Sequence, residues 1–149
     1  MKHKFALGIL LLTLLTFSLH AEANNLGLGI ILGEPTGLSG KMYLSGNTAI
    51  DAAASWSFRN DNFYFHADYL RHFPGLLGRD LEPLTPYAGL GGLLYVHEDP
   101  MLGVRFPLGL SLFIPDTQFE VFLELGPGLL LIPETDFDFT GGIGARYYF

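Results

Sequence analysis

Apolar side chains recur at every second position along most of this chain, from Leu26 to its end. Successive side chains of a β-strand point to opposite faces, whereas a helix repeats its apolar positions every three or four residues. The spacing therefore predicts strands throughout. In the stretch 49–58, for example, the even positions hold Ile50, Ala52, Ala54, Trp56 and Phe58. One face of most strands is apolar, and the opposite face combines glycine with a few charged side chains.

Residues typical of turns divide this pattern into eight segments. We predict strands near 26–33, 36–44, 48–58, 62–73, 85–96, 101–114, 118–132 and 137–149. The fifth segment has the weakest pattern, because 88–94 alternates poorly. No linker interrupts the series, so residues 24–149 are predicted to form one domain. The expected fold is an all-β, eight-stranded antiparallel up-and-down barrel, whose even strand number returns both termini to the same rim.

The N-terminal segment has the features of a secretory signal peptide. Lys2 and Lys4 precede an uncharged apolar run at 5–19, and Ala21 and Ala23 form an A-x-A ending. A retained membrane-spanning helix would need roughly 20 apolar residues, which this run does not reach. We therefore predict a signal peptide over 1–23, cleaved after Ala23, with cleavage after Ala21 as the alternative.

Composition excludes several classes of function. The chain carries 8 Lys+Arg against 15 Asp+Glu, a formal charge of −7, which disfavours binding to a nucleic-acid backbone. The absence of cysteine excludes disulfides, thiol catalysis, Cys-ligated zinc and a lipid-modified N-terminal cysteine. With 49% apolar and only 15% charged residues, the chain is also a poor candidate for disorder.

A closed sheet with one apolar face can be either a soluble barrel or a membrane barrel. A soluble barrel needs a polar, charged outer face, whereas a membrane barrel turns its apolar face to lipid. The polar face here is dominated by glycines, which suit a narrow interior better than a solvated surface. They are Gly27, Gly29, Gly37, Gly89, Gly91, Gly103, Gly109, Gly126, Gly128, Gly142 and Gly144. The pattern favours a transmembrane β-barrel.

Aromatic residues are concentrated near the ends of the predicted strands. One group is Trp56, Phe58, Phe63 and Phe65, and the other is Phe73, Phe119, Tyr147 and Phe149. Two such groups are typical of the aromatic girdles at the two lipid interfaces of a barrel. The alternative is that these aromatic strand ends pack beneath loops.

Four stretches carry a resemblance to known proteins. The ending GGIGARYYF (141–149), with Phe149 last, looks like the C-terminal assembly signal of bacterial outer-membrane proteins. The runs GEPTGLSGK (33–41), HADYLRHF (66–73) and GVRFPLGLSLFIPDTQFEVFLELGPGLLLIP (103–133) resemble a family of small uncharacterised Gram-negative outer-membrane β-barrel proteins. The resemblance implies location in the bacterial outer membrane and recognition of the last strand by the barrel assembly machinery. It supplies no catalytic residues.

The expected interior contains several charged side chains. They are Lys41, Asp51, Asp68, Arg105, Glu120, Glu124 and Arg146, accompanied by His66 and His72. Charges in a narrow space of low dielectric are costly unless they are paired. We therefore predict an ion-pair network that fills the barrel, although the cross-strand register that sets its pairs cannot be read from one sequence.

Two chemical readings of the same residues remain open. His66 and Asp68 lie on one face and could act as a base and its orienting acid in an enzyme that modifies lipid A or phospholipid. Its nucleophile would come from Ser39, Ser55, Ser57 or Ser111, none of which lies in a G-x-S-x-G motif. A metal site formed by His66, His72 and Asp68 lacks ligand-like spacing. We assign no catalytic residue, metal or cofactor, and the absence of G-x-G-x-x-G rejects nucleotide binding.

The predicted function is a structural or interaction role in the outer membrane, without a wide pore. Expected partners are outer-membrane lipids and lipopolysaccharide, and no nucleic acid. Arg71 interrupts an apolar face near a strand end, where an arginine can reach a headgroup phosphate.

The longest connection, at 74–84, falls on the same side as the termini, where the turns of membrane barrels are usually short.

Overall fold

The chain forms one antiparallel sheet, as seen in a computed structural model that describes residues 25–58 and 61–149. The predicted signal peptide lies outside the described residues. The strands are β1 Leu26–Glu34, β2 Thr36–Tyr43, β3 Thr48–Ser57, β4 Asn62–His72, β5 Leu84–Val96, β6 Met101–Arg105, β7 Leu108–Phe113, β8 Phe119–Ile132 and β9 Asp136–Tyr148. A short 3-10 helix, Arg79–Leu81, lies between β4 and β5. Over the ranges described, no helix is long and apolar enough to cross a membrane.

The strand pairings close into a ring. Each of the strands β1 to β4 pairs with the strand that follows it, so that β4 pairs with β5. β5 pairs with β6 and β7, both of these pair with β8, and β8 pairs with β9. β9 then returns to β1, with Gly29 opposite Arg146. A closed ring leaves no strand edge with unpaired backbone groups.

The prediction of eight strands is wrong, because the segment 101–114 is divided into two. Pro107 has no backbone N–H and cannot donate to the ladder. The strand breaks there, although the Phe106 N–H still donates to the Pro127 carbonyl at 2.8 Å. β6 and β7 follow each other between β5 and β8 and both run antiparallel to β5. The chain therefore keeps its direction, and the start of β1 lies beside the end of β9, with the Phe149 N–H donating to the Leu26 carbonyl at 3.0 Å.

The two ends of the closed sheet differ. We call the end that holds Leu26 and Phe149 the terminal rim, and it also holds the long connection between β4 and β5. We call the opposite end the distal rim, and it adjoins Pro35, His97 and Pro133. The connections at the distal rim after β1, β5 and β8 are shorter than the connection between β4 and β5 at the terminal rim.

The predicted alternation describes the two faces of the sheet. Large apolar side chains point outward and are exposed, including Leu38 at 68%, Leu90 at 56% and Ile143 at 54%. The alternate positions point inward and are mostly buried, as in β8, where Glu120, Phe122 and Glu124 alternate with exposed neighbours. The outside of the described sheet is therefore an extended apolar surface, which monomeric proteins in water rarely expose.

Aromatic rings form clusters at both rims. Near the distal rim, the rings of Trp56 and Phe63 meet edge-on with centroids 4.7 Å apart. At the terminal rim, Tyr147 lies between Phe119 and Phe149, with centroid distances of 5.1 and 5.2 Å. Phe63, Phe119, Tyr147 and Phe149 are exposed, so these rings do not pack beneath loops. They border the apolar surface at its two ends.

The interior is narrow, and among the described residues its buried apolar side chains form two small clusters. Tyr64, Leu93, Tyr95 and Leu130 pack together in the half towards the distal rim. Ala49, Leu70 and Tyr87 pack in the half towards the terminal rim. Glycine keeps the interior free at points of close approach: a Cβ atom added at Gly144 would lie 2.3 Å from the Phe122 ring. Between the two clusters lies a layer of charged side chains.

Candidate functional site

The structure places all seven charged residues predicted for the interior on the inward face, and each is almost fully buried. They are Lys41, Asp51, Asp68, Arg105, Glu120, Glu124 and Arg146. They come from β2, β3, β4, β6, β8 and β9, so the layer is assembled across the whole ring. Since each lies at an inward position of its strand, the two-residue period of the sequence is what directs it inside. We call this set, with His66 and His72, the charged layer.

Glu120 is the most fully bonded carboxylate of the charged layer. Its Oε1 accepts from the Lys41 ammonium at 3.0 Å and from the Ser111 hydroxyl at 2.6 Å. Its Oε2 accepts from the Tyr148 hydroxyl at 2.6 Å and from Arg146 Nη1 at 3.3 Å. Four donors on two oxygens compensate the loss of hydration that burial imposes on a carboxylate.

Arg146 connects Glu120 to the next carboxylate. Its Nε donates to the Ser39 hydroxyl at 2.9 Å, and its Nη2 lies 3.5 Å from Asp51 Oδ2. The guanidinium also lies 3.8 Å from the centroid of the Phe122 ring. The planar, permanently charged guanidinium can satisfy several acceptors and stack on an aromatic face at once, which a lysine cannot do.

Arg105 holds the other half of the layer. Its Nη2 donates to Glu124 Oε1 at 2.6 Å, and its Nη1 lies 3.5 Å from both Asp68 Oδ2 and the Tyr64 hydroxyl. The Tyr87 hydroxyl donates to the other oxygen of Glu124 at 2.8 Å. Glu124 therefore has a donor on each oxygen, whereas Asp68 has only long contacts, with Arg105 at 3.5 Å and His66 at 3.6 Å.

The structure separates the two histidines that the sequence grouped. His72 Nε2 lies 2.8 Å from the Lys41 ammonium, in the half of the layer towards the terminal rim. His66 Nε2 lies 3.6 Å from Asp68 Oδ2 and 3.9 Å from Asp51 Oδ1. A trio of His66, His72 and Asp68 is therefore not assembled. The residues that join His66 and Asp68 are Asp51 from β3 and Glu124 from β8.

Two further carboxylates face inward, and the sequence reasoning did not include them in the layer. Glu34 accepts a hydrogen bond from the Ser57 hydroxyl, and Asp138 accepts one from the Tyr95 hydroxyl at 2.8 Å. Asp138 stands between Phe137 and Phe139 in β9, and those two side chains point outward. The alternation along this strand could therefore have identified Asp138 as an inward carboxylate. Glu34 follows Gly33, whose φ of +154° interrupts the alternation. The sequence pattern did not predict this interruption, so it did not predict that Glu34 faces inward.

Two cavities lie between the charged layer and the distal rim, and the smaller one adjoins the layer. An enclosed cavity of about 10 Å³ is lined in part by Glu34, Ser55, His66 and Glu124, and it has room for about one water-sized particle. An open basin of about 700 Å³ at the distal rim is lined in part by Asn62, Tyr95, His97, Asp99 and Asp138.

This arrangement does not favour a lipid-modifying enzyme. Of the four serines considered as nucleophiles, Ser39, Ser57 and Ser111 bond to Arg146, Glu34 and Glu120 respectively. Ser55 lines the enclosed cavity beside His66, and a cavity of about 10 Å³ does not admit an acyl ester. The charged layer is built to stabilise buried charges.

Comparisons with known proteins identify the fold and no family. No protein-family model matches the chain, and no curated protein matches it. The structure is similar to the crystal structure of the N-terminal β-barrel domain of Pseudomonas aeruginosa OprF, with a TM-score of 0.64. The similarity covers 85% of this chain and 98% of that chain, at 17% sequence identity. The closed sheet is therefore a β-barrel of the kind found in that domain.

The pairing in the charged layer predicts that single arginine removals destabilise the barrel. Arg105→Ala leaves Glu124 and Asp68 without their permanent cation. Arg146→Ala does the same to Asp51 and leaves Glu120 with Lys41 alone. Breaking one partner of a buried pair typically costs about 3–5 kcal/mol. We expect losses of this size in the free energy of unfolding, measured by urea titration in detergent micelles. Glu98→Ala, in an exposed loop, is the control and should change it by less than about 0.5 kcal/mol.

The double variant Arg105→Ala with Glu124→Ala tests whether the pair itself carries the effect. Removing both members of the 2.6 Å contact leaves no unmatched charge between them, so part of the stability should return. A double variant as unstable as the sum of its two single variants would show that Arg105 and Glu124 act independently. Arginine variants that unfold like the parent would refute the network.

Proposed function

We propose that this chain is an outer-membrane β-barrel protein of a Gram-negative bacterium, with a structural or interaction role and without a wide pore. The observation that carries the proposal is the outward face of the ring, where large apolar side chains such as Leu38 and Ile143 are more than half exposed. Such a surface is stable against hydrocarbon and unfavourable in water.

The backbone supports the same location. Within a bilayer every backbone N–H and C=O must find a partner in the protein, which only helices and closed barrels achieve. The ring of strand pairings meets this condition. The aromatic clusters at the two rims lie where the two membrane interfaces would be, and the charged layer lies inside, away from lipid.

Export and assembly would begin with removal of the signal peptide at 1–23 and leave the barrel domain at 24–149. We propose that the barrel assembly machinery recognises β9, which ends beside Phe149. Tyr147 and Phe149 point outward at the terminal rim with 38% and 59% of their surfaces exposed, so they are available in the ring. Both termini would lie on the periplasmic side.

This orientation determines which lipids each rim meets. Arg71, one residue before the end of β4, is exposed at the terminal rim, where it would contact phospholipid headgroup phosphates of the periplasmic leaflet. Lipopolysaccharide would contact the distal rim.

The charged layer supports the absence of a wide pore. It joins side chains of six strands across the interior, and the enclosed cavity beside it holds about 10 Å³. Barrels of this size have an interior just wide enough for side chains to fill. The short distal connections offer little surface for a large receptor, which leaves a structural role or contacts with other membrane components.

Fractionation of cells tests the location and the proposed assembly signal together. We expect the protein in the outer membrane, resistant to urea washing, and migrating differently in gel electrophoresis before and after heating. Phe149→Ala should lower the amount assembled, whereas Phe58→Ala, an exposed aromatic at the distal rim, should leave it near the parent level. Recovery of the parent protein as a soluble periplasmic species would contradict the proposal.

Planar-bilayer recording tests the absence of a wide pore. Since the charged layer fills the interior, we expect no large, stable conductance steps from the purified folded protein. A general porin inserted in the same bilayers serves as the positive control. Steps of porin size from this protein would show that the interior opens.

A further inference from the structure

Four potential metal ligands converge in the charged layer. Asp51, His66, Asp68 and Glu124 each present one ligand atom, and these atoms all lie within 4.8 Å of one another. They come from β3, β4 and β8, so the cluster exists only in the closed ring. The three carboxylate residues have at most 3% of their surface exposed, and the His66 side chain has 7%. A cluster this deeply buried is not an ordinary group of solvated surface acids.

Several atoms of this cluster lack the hydrogen bonds that burial normally requires. Among the described residues, no N–H or O–H group donates a well-formed hydrogen bond to Asp51 Oδ1 or to either carboxylate oxygen of Asp68, and His66 Nδ1 is likewise without a partner. Asp68 Oδ2 has only longer contacts, with Arg105 Nη1 at 3.5 Å and His66 Nε2 at 3.6 Å, and Asp51 and Asp68 can bond to each other only if one of them keeps a proton. Glu120, in the same layer, accepts from four donors. An unsatisfied buried carboxylate oxygen is costly, since it loses hydration and gains nothing in return. The cluster therefore has ligand capacity that the protein itself does not use.

The charges of the layer point to a cation as the missing partner. The charged layer has four carboxylates, Asp51, Asp68, Glu120 and Glu124, against three permanent cations, Lys41, Arg105 and Arg146. The half-buried Glu34 lines the same small cavity as His66 and Glu124. Asp138 borders the open basin and lies outside this set. With ionised carboxylates and neutral histidines, the layer has one negative charge in excess and Glu34 beside it adds a second, so a bound cation would improve the balance of charge.

We propose that Asp51, His66, Asp68 and Glu124 bind one divalent transition-metal cation. Three carboxylate oxygens and one imidazole nitrogen form a mixed ligand set suited to ions such as Zn²⁺ and Mn²⁺. Ligand atoms about 2.0–2.2 Å from an ion lie about 3.3–3.6 Å apart in a tetrahedral site and up to about 4.4 Å apart when trans in an octahedral one. The four atoms lie within 4.8 Å of one another, so binding requires the cluster to contract by roughly 0.5–1.5 Å. The adjoining cavity of about 10 Å³ has room for one coordinated water.

The bound cation would tie three strands together across the interior. Asp68 would gain a strong partner in addition to its 3.5 Å contact with Arg105, and Asp51 likewise beside Arg146. The site therefore couples metal binding to ring closure, because its ligands meet only when β8 faces β3 and β4. This inference depends on the barrel fold and not on the membrane role, so the two can fail separately.

Metal binding by the folded, untagged protein tests the site directly. The chain is refolded from urea into detergent micelles without metal, checked by its heat-dependent migration, and titrated with Co²⁺, Mn²⁺ and Zn²⁺. We expect one metal per chain after gel filtration, a visible Co²⁺ spectrum that Zn²⁺ displaces, and a higher urea midpoint with metal than without it. A folded parent that retains no metal would overturn the proposal and favour a proton shared between Asp51 and Asp68.

Variants locate the metal within the chain. Asp68→Asn keeps the shape of the side chain and removes its charge, and His66→Gln removes the nitrogen ligand, so that one remains if the other fails to fold. Each should weaken metal binding by more than about tenfold. The controls Asp138→Asn, an inward carboxylate outside the cluster, and Glu98→Gln, in an exposed loop, should bind like the parent. Unchanged affinity in the two cluster variants would place the metal elsewhere and refute the site.

Discussion

The closed ladder of backbone hydrogen bonds is the constraint on which the rest of this structure depends. Once β9 pairs with β1, every strand is paired along both edges and every second side chain must point into a narrow interior. That interior has room for glycine, a few rings and a single layer of long polar side chains. The remaining side chains point outward, and their apolar character determines what medium can surround the ring.

The closed ring forces polar side chains into an interior without free access to water, and the charged layer satisfies most of them. Polar side chains that cannot reach water must satisfy one another, and Arg105 and Arg146 do so by each serving two carboxylates. Such a layer stabilises the fold little more than apolar side chains of the same volume would, but removing one partner leaves a buried charge unpaired. It also specifies register, because Glu120 meets Lys41 and Arg146 in one alignment of β2, β8 and β9 only. The proposed cation at Asp68 extends the same principle.

Local pattern predicted most of the fold, and long-range register limited the rest. The two-residue period located seven of the predicted segments to within about two residues, and the seven charged residues it assigned to the interior are buried. It did not predict the break at Pro107, because the apolar spacing continues across it. Nor could it pair Asp51 with Glu124, which lie 73 positions apart in sequence on strands that are not neighbours in the ring. The spacing of residues within one strand does not determine which residues of distant strands face each other across a barrel.

Lipid accessibility along β8 tests the central claim most directly, namely that the apolar face meets lipid and the charged face is enclosed. The chain has no cysteine, so single cysteines from 119 to 125 can each carry one spin label. In bilayers, collision with oxygen dissolved in lipid should alternate with a period of two, high at Phe119, Val121, Leu123 and Leu125 and low between them. Uniform accessibility, or high values at Glu120 and Glu124, would contradict the account.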